Sequence, residues 1–145
     1  MKMNHLTAIG IAAAAAIGAS VFVSAQAPPT VHGRMTLSMA NGKCVKTLAG
    51  NDGGDRIRAK QNGVVQWDVT NNCSGDATVA VGDFIRKGGG ADNPFEAGRT
   101  SCTATPGKAC SIALHVRGDA GVRTYSYGVS INGTKQDPDL IIEGA

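Results

Sequence analysis

The chain has 145 residues, of which 42% are hydrophobic and 17% are charged, and its formal net charge is +3. This length corresponds to one domain with a short leader. The near balance of 14 basic and 11 acidic residues excludes the strongly basic surface that would select nucleic acid or an anionic membrane as a partner.

The N-terminal segment has the pattern of a secretory signal peptide. Lys2 precedes an apolar, alanine-rich run that ends in the small residues VSAQA. We expect residues 1–25 to be removed by cleavage after Ala25, and cleavage after Ala27 is the second choice because a proline would then follow the cut. A membrane anchor is the alternative, but the run falls short of the roughly 20 strongly apolar residues of a span. The sequence thus predicts a periplasmic or secreted protein with a single domain, residues 26–145, and no membrane span after cleavage.

Alternation of apolar and polar residues recurs along the rest of the chain, and helical periodicity is absent. In VVQWDVT, for example, Val65, Trp67 and Val69 fall on one face, which is the pattern of a half-buried strand. The predicted strands, in chain order, are MTLSM, VVQWDVT, ATVAV, SIALHV, TYSYGVSI and LIIE. Turn sequences such as Asn-Gly and Pro-Gly separate them. We therefore predict an all-β fold, an antiparallel sandwich or barrel of at least six short strands.

Four cysteines, Cys44, Cys73, Cys102 and Cys110, follow the predicted leader. An even number of cysteines in an exported chain is most simply explained by two disulfides, for which three pairings are possible. The turn-like TPGK between Cys102 and Cys110 favours that pair and leaves Cys44 with Cys73. A structural zinc site is the alternative, but the close C-x-x-C pairs typical of such sites are missing.

The longest irregular segment, RKGGGADNPFEAGRT, covers residues 86–100. Three consecutive glycines do not favour a regular element there, and long loops on a rigid sheet often carry binding residues. If this loop binds a ligand, Arg86, Lys87, Asn93 and Phe95 are the candidate contact residues. The alternative is a flexible connector beside an edge strand.

Two stretches match a family pattern. In VQWDVTNNCSGDATVAV, a tryptophan and a pair of asparagines precede a short loop, and in GVRTYSYGVSIN a glycine leads a strand of alternating aromatics. Together they resemble the cupredoxins, Greek-key β-sandwiches that carry a mononuclear copper. The resemblance extends over residues 61–142 and implies an antiparallel Greek-key β-sandwich. It places Ala77 and Asn132 where the family has ligand histidines and Val129 where it has the ligand cysteine.

The departures from the family pattern remove the copper ligands. A blue-copper site uses two imidazoles, a thiolate and a weak axial ligand, usually methionine. Ala77 and Val129 offer no lone pair, the amide of Asn132 is a poor ligand for this metal, and no methionine follows Met39. We therefore expect no type-1 copper site and no cofactor, with packed side chains at the ligand positions and Val129 in an apolar interior.

A different metal site is the alternative. His32, Met35 and Met39 lie close together in the sequence, and soft ligands of this kind suit cuprous ion. The two methionines alternate with Leu37, however, so we expect both on the buried side of a strand. His115 falls on the face opposite its apolar neighbours, where we expect it to face solvent.

No catalytic constellation is evident, because no nucleophile motif accompanies His115. The carboxylates in NDGGD and DPD, which include Asp52 and Asp137, lie in sequences typical of turns. We therefore expect a non-enzymatic binding or interaction module whose partner is a protein or small ligand of the cell envelope. The alternative is a copper-binding or electron-transfer protein that uses His32 with Met35 or Met39. A binding surface is expected at the loop of residues 86–100, or at a rim formed by Ala77, Asn132 and Asp137.

Overall fold

The computed structural model describes residues 26–145, so the predicted signal peptide lies outside the described residues. Ten strands and no helix are found in this part of the chain, which confirms the all-β prediction. No helix within it is long and apolar enough to cross a membrane. The strands are β1 (Thr30–Ala40), β2 (Lys43–Ala49), β3 (Ile57–Lys60), β4 (Val64–Asn71), β5 (Ala77–Arg86), β6 (Ser101–Ala104), β7 (Ala109–His115), β8 (Arg123–Ile131), β9 (Thr134–Gln136) and β10 (Asp139–Glu143).

The strands form two sheets, which confirms the predicted β-sandwich. The first has the order β2-β1-β4-β7, and the second has the order β3-β10-β8-β5-β6, with β9 also paired to β8. Two pairs, β1 with β4 and β10 with β3, are parallel, and the other pairs are antiparallel. The sheets are therefore mixed, whereas a purely antiparallel arrangement was expected.

An aromatic cluster fills the centre of the sandwich. Trp67 of β4 is fully buried, and its ring centroid lies 5.7 Å from that of Tyr127 and 5.8 Å from that of Phe95. The indole Nε1 of Trp67 donates a hydrogen bond of 3.1 Å to the hydroxyl of Tyr127. Burial raises the pKa of this hydroxyl well above its usual value. The cluster thus joins the two sheets, and the buried indole N–H finds its hydrogen-bond acceptor within the cluster.

Two Asn-Gly turns close the hairpins β1–β2 and β8–β9. Asn41 and Gly42 have φ angles of 50° and 73°, and Asn132 and Gly133 have φ angles of 48° and 83°. Positive φ at both central residues is the requirement of a type I′ turn, which glycine and asparagine meet at low cost. The turn residues in the sequence therefore fix the position of both hairpins.

Both predicted disulfides are present. Cys44 of β2 is bonded to Cys73 in the loop after β4, with a Cα–Cα distance of 5.8 Å. Cys102 of β6 is bonded to Cys110 of β7, with a Cα–Cα distance of 6.0 Å. Because β6 and β7 belong to different sheets, the second disulfide links the two layers of the sandwich.

Candidate functional site

The structure places two of the three copper-ligand positions of the family pattern side by side and the third farther along β8. Thr78, the residue after Ala77, donates its N–H to Asn132 Oδ1 at 2.9 Å, and its carbonyl accepts the N–H of Asn132 at 3.0 Å. Val129 is paired with Val81, four residues along β5 from Ala77. At about 3.3 Å per residue this offset is roughly 13 Å, so the three positions do not converge on one site.

Packing and turn hydrogen bonds occupy these positions. Ala77 and Val129 are 1% and 2% exposed and belong to the core, so Val129 lies in the apolar interior as predicted. The side chain of Asn132 is engaged at both polar atoms, since its Nδ2 also donates to the carbonyl of Asp76 at 3.2 Å. Within residues 26–145, no group of three or more His, Cys, Asp or Glu side chains could hold a metal ion.

The alternative ligand set does not converge. Met35 is buried in the core, whereas His32 lies on the opposite face of β1, where its Nδ1 is 2.7 Å from Asp68 Oδ2. Met39 is 50% exposed, so the expectation that it lies on the buried side of its strand is wrong. It lies at the end of the β1–β2 hairpin, whose last residues are exposed and not covered by the second sheet.

The carboxylate of Asp68 is the centre of a small polar cluster on the outer face of the first sheet. Gln66 Nε2 donates to Asp68 Oδ1 at 2.7 Å, and His32 contacts the other oxygen. Partial burial opposes the charged form of Asp68, but the hydrogen bonds from Gln66 and His32 outweigh it and hold the pKa below its usual value. The charged form is therefore favoured in the folded protein.

The lowered pKa of Asp68 makes part of the stability depend on pH. The stabilisation is present above the unfolded-state pKa of about 3.9 and is lost as the pH falls through the lower folded-state value. We expect Asp68→Asn to be less stable than wild type at pH 7, and the difference to shrink as the pH falls from about 5 to about 2.5. Urea denaturation of both proteins across this range measures the difference, and a gap independent of pH would contradict the assignment.

Asn71 has a structural role that was not expected from the sequence. It is fully buried at the end of β4, where its Nδ2 donates to the carbonyls of Gly75 and Ala104 at 2.7 and 2.8 Å. Its Oδ1 accepts the N–H of Cys73 at 3.0 Å. Asn71, the first asparagine of the Asn-Asn pair, thus organises the loop that leads to Ala77. The Asn-Asn pair is the sequence feature that could have revealed this role.

Replacing Asn71 with alanine is expected to destabilise the protein by roughly 2 to 3 kcal/mol, because the buried carbonyl of Ala104 and the buried N–H of Cys73 lose their partner. The neighbouring Asn72 is exposed and provides a matched control. Asn72→Ala is expected to stay within about 0.5 kcal/mol of wild type. Urea denaturation followed by circular dichroism measures both, and equal effects of the two substitutions would contradict the role given to Asn71.

The loop of residues 86–100 is held in place by its own side chains. Phe95 is 3% exposed, and its ring packs against those of Phe84 and Trp67, so its placement at a binding surface is wrong. The Oδ1 of Asn93 accepts the N–H of Phe95 at 3.0 Å, so Asn93 stabilises the turn that precedes the buried Phe95.

The other two residues expected to bind a ligand lie at the start of the same loop. Arg86 is the last residue of β5, and Lys87 Nζ donates to Asp139 Oδ2 at 2.7 Å. Backbone hydrogen bonds from Asp92 to Phe84 and from Glu96 to His115 fix the middle of the loop. The middle of the loop is therefore anchored to the sheets, whereas residues 87–91 and 96–100 on either side of it are exposed.

The remaining polar candidates lie apart from one another. His115 is exposed, as expected for the outer face of β7. Asp52 is hydrogen-bonded to Arg58 at 2.9 Å, and this hydrogen bond holds the pKa of Asp52 below its usual value. Asp137 is exposed, with an oxygen 3.7 Å from Lys135 Nζ. None of these contacts pairs an imidazole with a nucleophile in the described part of the chain.

A groove of about 380 Å³ opens beside Asn132, between the hairpins β1–β2 and β8–β9. Its floor is apolar, and a single charged side chain, Lys46, lines it. The Nζ of Lys46 donates to the carbonyl of Thr134 at 3.3 Å, which bridges the edges of the two sheets. Residues that line the groove include Leu37, Val45, Lys46, Ile131, Asn132 and Thr134.

The fold is similar to that of solved multicopper oxidases. The McoA multicopper oxidase of the hyperthermophile Aquifex aeolicus aligns with a TM-score of 0.51 and 14% identity, over 84% of this chain and 32% of that chain. A multicopper oxidase of Campylobacter jejuni, a metallo-oxidase, gives a TM-score of 0.48 and 12% identity, over 83% of this chain and 29% of that chain.

The chain thus spans about a third of the length of these oxidases. No protein-family model matches the sequence, and no curated protein is similar to it. Because the domains of multicopper oxidases are cupredoxin-like, the similarity supports the fold alone. Residues 26–145 form a single domain with a cupredoxin-like β-sandwich fold, in which no group of three or more His, Cys, Asp or Glu side chains could hold a metal ion.

Proposed function

We propose that the protein is a non-enzymatic binding or interaction module of the periplasm or the extracellular space that works without a type-1 copper site. One observation carries the proposal. The fold is cupredoxin-like, while the three positions that the family pattern assigns to copper ligands are taken by the buried Ala77 and Val129 and by Asn132, whose side chain is hydrogen-bonded at both ends.

The disulfides support the location outside the cytoplasm. Two disulfides join strands and loops of a small domain, and such bonds persist in oxidising compartments. The pattern of residues 1–25 is that of a leader for export. Both features agree with a partner in the cell envelope.

Copper binding through His32 has less support, because His32 and Met35 lie on opposite faces of β1 and Met39 lies near the exposed end of the hairpin. Nothing in the described residues adds further ligands from neighbouring strands. The protein is therefore expected to remain free of tightly bound copper.

The test is to load the purified protein with cuprous or cupric ion, desalt it and measure both its metal content and its oxygen uptake with a phenolic donor. The expected result is neither stoichiometric metal nor oxygen consumption. His32→Ala serves as the matched variant. Stoichiometric copper in wild type that is lost in His32→Ala, or sustained oxygen uptake, would overturn the proposal.

A further inference from the structure

Strand β2 is an open edge of the first sheet. It pairs with β1 alone, and no other backbone hydrogen bond among residues 26–145 engages it. Its residues are exposed or half-buried along its full length. An edge of this kind carries a row of free N–H and C=O groups that can pair with an added strand.

Apolar side chains are exposed on both faces of this hairpin. Four large hydrophobic side chains of the described residues are exposed, and two of them, Met39 and Val45, belong to the β1–β2 hairpin at 50% and 40% exposure. Met39 lies opposite Cys44 and Val45 opposite Ser38, so the two side chains point to opposite faces of the sheet. A strand added to β2 would cover Val45 as well as satisfy the backbone groups.

The lysines of β2 indicate which charge the added strand should carry. Lys46 is the single charged side chain lining the groove, and its ammonium contacts a backbone carbonyl. No carboxylate of residues 26–145 lies within 4.0 Å of it or of the exposed Lys43. Lys43 and Lys46 are three positions apart and point to opposite faces of the sheet, so a carboxylate on either face of an added strand would meet an unpaired cation.

The same lysine disfavours a second copy of the chain. Antiparallel pairing of β2 with itself over all seven residues places Lys46 directly opposite Lys46. Like charges directly opposite one another destabilise a strand pair. The occupant is therefore a different chain.

We propose that β2 accepts an extended, acidic segment of a partner protein as an additional strand of the first sheet. A glutamate or aspartate opposite Lys46 points toward the same face and forms a cross-strand ion pair, and the apolar residues on either side of it point to the opposite face, where they cover Val45. This inference rests on the proposed binding function and names the surface and the class of partner.

The test is panning of a phage library of random nine-residue peptides against the protein produced from the full-length sequence. Enriched peptides are expected to carry a carboxylate between β-branched residues. Their affinity is expected to fall about tenfold or more in Lys46→Glu, a loss of about 1.4 kcal/mol, and to stay unchanged in Lys60→Glu, which makes the same charge change on β3. With the best peptide bound, hydrogen exchange at residues 43–49 is expected to slow.

Each other outcome overturns the inference. No enrichment, binding that survives Lys46→Glu, or protection elsewhere on the molecule would each exclude an acidic strand on β2. Light scattering that shows a dimer with protection of residues 43–49 would identify a second copy as the occupant. Stoichiometric copper retention would contradict the proposed function and would not test the β2 site. Peptide binding at another surface would exclude the β2 site and would leave the proposed binding function intact.

Discussion

Trp67→Ala is expected to lower the free energy of unfolding by about 3 to 5 kcal/mol, because it removes the largest buried side chain and leaves a cavity between the sheets. The rings of Tyr127 and Phe95 lose their contact, and the Tyr127 hydroxyl loses its donor. Trp67 is the sole tryptophan of the chain, so urea denaturation must be followed by far-ultraviolet circular dichroism and not by fluorescence.

Trp67→Phe is the control for this experiment. It keeps most of the apolar volume but removes the N–H that donates to Tyr127, and we expect a loss of about 1 to 2 kcal/mol. Two substitutions with equal effects would show that the hydrogen bond, and not the volume of the ring, determines the stability. A loss below about 1 kcal/mol in Trp67→Ala would contradict the central place of this cluster.

Removal of the Cys44–Cys73 disulfide by the double serine substitution is expected to cost about 3.6 kcal/mol. The two cysteines are separated by 29 residues, so the crosslink restricts a long segment of the unfolded chain. Removal of the Cys102–Cys110 disulfide, with a separation of 8 residues, is expected to cost about 2.6 kcal/mol. Urea denaturation of both double variants against wild type measures the two values.

The order of the two losses in stability tests this expectation more strictly than the size of either loss. Chain entropy ranks the Cys44–Cys73 bond first, although the Cys102–Cys110 bond is the one that links the sheets. A larger cost for Cys102→Ser/Cys110→Ser would show that the connection between the layers outweighs the length of the closed segment.

The sequence predicted the strands whose apolar residues alternate, such as the one around Trp67, and the short apolar run LIIE that forms β10. It did not predict β3, β6 and β9, which have only three or four residues, or β2, whose inward side is largely uncovered. It also could not distinguish the parallel pairing of β1 with β4, because alternation is the same in parallel and antiparallel strands. Strand order depends on connections that local patterns do not encode.

The sequence predicted the candidate site only in part. The family pattern predicted the burial of Val129, but it did not predict that Val129 is paired with Val81, four residues along β5 from Ala77. The exposure of Met39 was not predictable, since alternation assigns a face but not whether another layer covers it. Phe95 could have been found, because an aromatic residue in a glycine-rich loop of a chain with 4% aromatics is a natural anchor.

The three positions that the family pattern assigns to copper ligands hold packed or hydrogen-bonded side chains, so the protein is expected to bind no type-1 copper. The most direct measurement is the copper retained by wild type after cupric loading and desalting, together with the visible absorption of the loaded protein. The expected result is neither stoichiometric copper nor an intense visible band. About one equivalent of copper with such a band would contradict the account.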